Sequence, residues 1–224
     1  MKKQAELRLT FRQSTIGCYQ IVEVSDGRRY VMDTSTVMPK TFFWGALPAE
    51  VSADIVELRY DNHEFELPLR PPMDTTLAAV MAQPIVKILD GLFRSVFGNY
   101  NLSQQVLVKL ILFILSMVIA YLVVLYSLKR AHQRASAKLP KDVKHKRMIF
   151  KTNGKRDYTG YFALVLNLIC LAFYLGINDG AEGGLLVVNG LISLLTFIIC
   201  RAMLPISAEY RREVLLFDKI IDVE

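Results

Sequence analysis

The sequence is poor in the residues that usually carry chemistry: its 224 residues hold three histidines, three cysteines and one tryptophan. His63, His132 and His145 fall in polar stretches, away from any apolar run in which an intramembrane metalloprotease would need an HExxH pair. GxSxG, GxxxxGK[ST] and GxGxxG are absent, which removes a nucleophile elbow, a phosphate-cradling loop and a dinucleotide fingerprint. Cys18, Cys170 and Cys200 have no CxxC spacing, so neither a zinc ribbon nor a thioredoxin-type redox pair is expected. The reading is therefore a protein without enzymatic activity, metal or cofactor. Met1-Lys2-Lys3-Gln4-Ala5-Glu6 is followed by no apolar h-region, so no cleavable signal peptide is expected. No compact basic reader motif is present, which argues against a nucleic-acid partner.

What is abundant is apolar, and it is unevenly spread. Hydrophobic residues make up 53% of the chain and charged residues 21%. Up to Asp74 the apolar residues alternate with charges; beyond Gln105 they gather into long runs. Residues 1–75 carry nine Lys/Arg against eleven Asp/Glu, while 76–224 carry eighteen against ten. The positive excess lies between apolar runs, where it would orient a chain in a bilayer.

The pattern predicts an α+β chain. A small N-terminal antiparallel β-domain (1–72) precedes an α-helical membrane domain (73–224) with a basic loop at 127–160. Leu7, Leu9 and Phe11 alternate with polar residues, the period of a half-buried strand. Residues 18–24 and 29–33 flank Ser25-Asp26-Gly27-Arg28, which predicts a hairpin with a type I′ turn. Residues 55–60 and 64–67 suggest a second hairpin. Between the two lies the aromatic block Phe42-Phe43-Trp44, a candidate partner surface of the β-domain.

Three segments are apolar enough to cross a membrane: 106–126, broken only by Lys109 near one end where it could snorkel; 161–177, containing Asn167; and 184–206, containing Asn189. The loop 127–160 holds eleven Lys/Arg and two acids, whereas the connector 178–183 holds no Lys or Arg. The positive-inside rule places that loop and the C-terminus in the cytoplasm and the connector outside. A β-domain outside would conflict with the missing signal peptide. Segment 75–97 is the one candidate for a further crossing, and it carries Lys87, Asp90 and Arg94 on one helical face. Either it lies on the membrane surface, with Asp90 paired to Arg94, or it crosses with those charges turned toward other helices.

Lys87, Asp90 and Arg94, together with Asn167, Asn189 and Ser193, form the candidate intramembrane polar or partner site. Counted from the connector, Asn167 lies about 15 Å deep, Asn189 about 7.5 Å and Ser193 about 13–14 Å. Depth therefore selects Ser193, not Asn189, as the partner of Asn167.

The order of these features resembles a known family. Tyr19-Gln20-Ile21-Val22, Asp26-Gly27 and Tyr30-Val31-Met32-Asp33 are followed by the aromatic block closing at Leu47-Pro48. Thr75-Thr76-Leu77, a helix ending in a basic cluster, Met148-Ile149-Phe150-Lys151 and an apolar hairpin come next. The layout is similar to the bacteriocin-associated tandem five-transmembrane family of Gram-positive bacteria, although this sequence shows three clear spans and one further segment rather than five. The resemblance implies a multi-pass membrane protein whose partners are the lipid bilayer and a membrane-acting toxin, since some members give immunity to toxins of type VII secretion. Two other readings stay open: a membrane-anchored signalling or assembly module whose β-domain binds a cytoplasmic partner, and a small channel or transporter lined by the charge triplet.

Overall fold

The computed structural model describes residues 8–59, 62–67, 87–88, 91–139 and 145–223. The chain is α+β, and its described residues hold a six-stranded antiparallel sheet and three helices long and apolar enough to cross a membrane. It divides into two units, one formed by Met1–Pro68, Tyr126–Gly160 and Ile198–Glu224, the other by Leu69–Leu125 and Tyr161–Phe197.

The sheet runs β1 (Leu9–Gln13), β2 (Tyr19–Val24), β3 (Arg29–Met38), β4 (Glu50–Leu58), β5 (His145–Thr152) and β6 (Leu215–Asp222), each strand beside the next in sequence. The β2–β3 hairpin is where the Asp-Gly signal put it, with Glu23 opposite Arg29. Its turn differs from the expected type I′. Only Gly27 has positive φ (89°), and Gly27 N–H donates to Val24 O at 2.9 Å. The connection is thus the longer kind, with one left-handed residue after the turn. Asp26 Oδ1 accepts from Arg28 N at 3.0 Å and fixes it.

Among the described residues the second expected hairpin does not form. Residues 64–67 contribute a single bridge, Ser14 to Glu66, and β4 pairs instead with β3 and β5. Its alternating residues Val51, Ala53 and Ile55 are buried on one face of the sheet, and both of its edges are taken by β3 and β5. The loop expected at 127–160 supplies the second neighbour of β4 as β5, and the tail after the last span adds β6 beyond it. Met148, Ile149 and Phe150 are buried, as is Leu215.

Both faces of the sheet are covered. On one, Val22, Tyr30, Met32, Val51, Ile55, Met148 and Phe150 pack with Phe42 and Phe43 and with Leu204, Ile206 and Val214. On the other, Ile21, Val31 and Leu58 pack against Leu128, Ala131 and Ala135. Those three residues sit three and four apart, one face of a helix.

That helix is α2 (Val106–Lys138), which follows a helix α1 that includes residues 91–99. At 33 residues α2 is about 50 Å long, well beyond the ~30 Å hydrocarbon core. Its first part belongs to the helical unit and its charged second part to the sheet unit. Helices α3 (Thr159–Gly176) and α4 (Glu182–Phe197) form a hairpin; α4 continues as a π turn, Ile198–Ala202, before the short α5 (Ile206–Arg211). The helical core contains Phe97, Phe113, Cys170, Tyr174 and Leu186. Gly183 admits close approach there, since a Cβ on it would lie 2.0 Å from Phe93 Cβ.

Candidate functional site

The most unusual chemistry of the helical unit lies in its interior. Lys109, in the first turn of α2, is fully buried rather than snorkelling. Its Nζ donates to Ile177 O at 2.7 Å and to Asn178 Oδ1 at 3.1 Å, and lies 3.5 Å from Glu182 Oε1. The ammonium also sits 5.2 Å over the Tyr174 ring. The local structure explains the position. The last carbonyls of α3 lack intrahelical partners and carry the negative end of its dipole. Glu182 opens α4 at the positive end of another. One cation between them satisfies both. Among the described residues neither Glu182 oxygen accepts a hydrogen bond, so Lys109 is the group that offsets its buried charge.

Deeper along α4 the polar side chains continue on one face. Asn189 Nδ2 donates to Ser116 Oγ at 2.6 Å and to Phe113 O at 3.2 Å. Ser193 Oγ donates to Asn167 Oδ1 at 2.9 Å, the pairing that depth counting selects. Asn167 Nδ2 donates to Ala163 O at 2.9 Å. Glu182, Asn189, Ser193 and Thr196 follow spacings of seven, four and three, so α4 turns a polar seam inward. The seam ties α2, α3 and α4 to one another.

The other sequence candidates fall elsewhere. Lys87 and Arg94 are exposed. Asp90 lies outside the described residues. Helix α1 instead points Phe93 and Phe97 inward, and Arg94 Cα lies 3.7 Å from where a Cβ on Gly180 would stand. In the sheet unit, Phe42 and Phe43 are core residues, 0% and 1% exposed, so they present no partner surface. The reason is the 3-10 turn Lys40–Trp44, closed by Gly45 at φ 77°, which rolls both rings onto the sheet. Trp44 alone of the block is 40% exposed, its ring close over Gly160.

Sequence reasoning missed two groupings. The Lys109–Glu182 pair had a signal, a single cation in one apolar run and a single acid opening another, but helix adjacency was needed to join them. The other is Cys18, Asp33 and His132, whose donor atoms all lie within 4.8 Å of one another. The metal-free reading rested on linear spacing, and these three come from separate elements. Comparison with protein-family models, with curated proteins and with solved structures finds no match to this chain.

Proposed function

We propose that this chain is a non-enzymatic immunity protein that protects a cell by binding a membrane-damaging toxin within the bilayer. The observation that carries the reading is the division of labour on its helices. The polar groups are spent inward on the seam, and the outward faces are continuously apolar: Phe162, Val165 and Ile169 on α3, Val188, Leu191 and Leu195 on α4 are all exposed. Outside water such faces suit lipid or an apolar helix of an inserting toxin. The family resemblance in layout points the same way.

A topology goes with this proposal. Strands β4 and β5 are hydrogen-bonded neighbours, and paired strands share a compartment. Helix α2 lies between them in sequence and would cross once, and a shared compartment requires an even number of crossings between them; segment 75–97, the candidate for the further one, lies mostly outside the described residues. Strands β5 and β6 are separated by α3 and α4, an even number. We infer four crossings, with the sheet unit cytoplasmic because its segment 127–160 carries eleven Lys/Arg.

The functional test is protection. A sensitive host expressing this chain should survive a membrane-depolarising toxin encoded beside it, and membrane potential should hold where the control collapses. Unchanged killing and depolarisation would end the proposal.

A further inference from the structure

We propose that Cys18, Asp33 and His132 form a binding site for a zinc ion in the sheet unit. Each donor is held by a different element. Cys18 immediately precedes β2, Asp33 lies in β3 and His132 in the charged part of α2. The three donor atoms lie within 4.8 Å of one another, and His132 Nε2 is 3.0 Å from Asp33 Oδ2. Zinc holds sulfur, nitrogen and oxygen at about 2.0–2.3 Å, which puts tetrahedral donors about 3.3–3.8 Å apart. Closing the widest of these separations to those distances takes a shift of about 1–1.5 Å.

The surroundings are those of a prepared site. Ser35 Oγ and N donate to Asp33 Oδ1 at 2.7 and 2.9 Å, leaving Oδ2 to face His132. Such outer hydrogen bonds orient a ligating carboxylate. The His132 ring packs edge-on to Tyr19 at 6.1 Å. Helix α2 is anchored one and a half turns further on, where Lys138 Nζ donates to Glu64 O at 2.6 Å. Cys18 is a free thiol, 3% exposed. Its burial, reinforced by the charge of Asp33, pushes the thiol up to about 12. A divalent cation reverses that balance by taking the place of the thiol proton, which leaves to solvent. His132 keeps the mouth half open, its side chain 45% exposed, so a fourth position faces water.

A mixed thiolate, imidazole and carboxylate set suits zinc better than calcium or magnesium, which take oxygen ligands. Nothing in this site depends on the toxin reading.

The test uses the full chain in detergent with Cys170→Ala and Cys200→Ala, so that Cys18 is the one thiol. Cobalt(II) should bind at one per chain with a thiolate-to-cobalt charge-transfer band, and zinc should displace it. Cys18→Ser should abolish the band. His132→Gln, at a partly exposed ring, should weaken cobalt and zinc binding by more than about 100-fold, while His145→Gln leaves both unchanged. Absence of the band from the Cys18-only protein, or wild-type affinity in His132→Gln, would overturn the site.

Discussion

Lys109→Met is expected to destabilise the helical unit by about 3–5 kcal/mol, the cost of breaking a buried ion pair from one side. The change leaves the Glu182 carboxylate fully buried without the ammonium that lies 3.5 Å from it, and removes the donor that reaches Ile177 O. The companion Lys109→Met/Glu182→Met should recover most of that loss, because an apolar pair of similar volume is commonly as stable as a buried ion pair. Full recovery is not expected, since Ile177 O and Asn178 Oδ1 still lose their donor. Thermal unfolding of the purified chain in detergent, followed by the fluorescence of a thiol probe at buried Cys170, reads both. If Lys109→Met melted with the parent, the ammonium would have to be solvated, and the inward seam would lose its first member.

The second large effect concerns a residue that the sequence placed in a basic loop. Phe150→Ala should cost the sheet unit about 3–5 kcal/mol, as for other buried aromatic truncations. Its side chain is fully buried in β5, with Tyr210 and Phe217 at ring distances of 6.4 Å each. Against a typical total stability of about 5–15 kcal/mol, that loss is large. A solvated loop residue would change stability by less than about 0.5 kcal/mol. Urea unfolding combined with limited proteolysis of β1–β4 distinguishes the two, because loss of β5 removes the neighbour of β4 and exposes Val51 and Ile55 to cleavage.

These two residues also show where the sequence was legible. Strands β1 to β3 follow from period-two alternation and from Asp26-Gly27, signals contained within a dozen residues. The three apolar helices follow from run length alone. Asn167 and Ser193 could be matched because an antiparallel hairpin converts distance from the connector directly into depth. Phe150 could not be placed in the same way. Met148-Ile149-Phe150 is too short a run between cations to announce a strand, and its partners lie about a hundred residues upstream in β4 and about seventy downstream in β6. Local charge read as a loop, while tertiary pairing made a strand. Phe42 and Phe43 erred in the opposite direction. Aromatic density looked like a docking surface, but the 3-10 turn gives those rings to the core. Lys109, Glu182, Cys18, Asp33 and His132 share the remaining difficulty, since each grouping is assembled from elements far apart in sequence.

Three distant segments build one sheet, and in the topology proposed above they do so on one side of the membrane. Impermeant maleimide labelling of single cysteines in a Cys18→Ser, Cys170→Ala, Cys200→Ala background tests it directly. Reporters at Ser25, Lys155 and Asp179 are exposed positions in the β2–β3 turn, after β5, and in the α3–α4 connector. Asp179→Cys is expected to be labelled in intact cells, whereas Ser25→Cys and Lys155→Cys are labelled only after permeabilisation. Labelling of Ser25→Cys in intact cells while Lys155→Cys stays protected would place the two segments in different compartments and contradict the shared sheet.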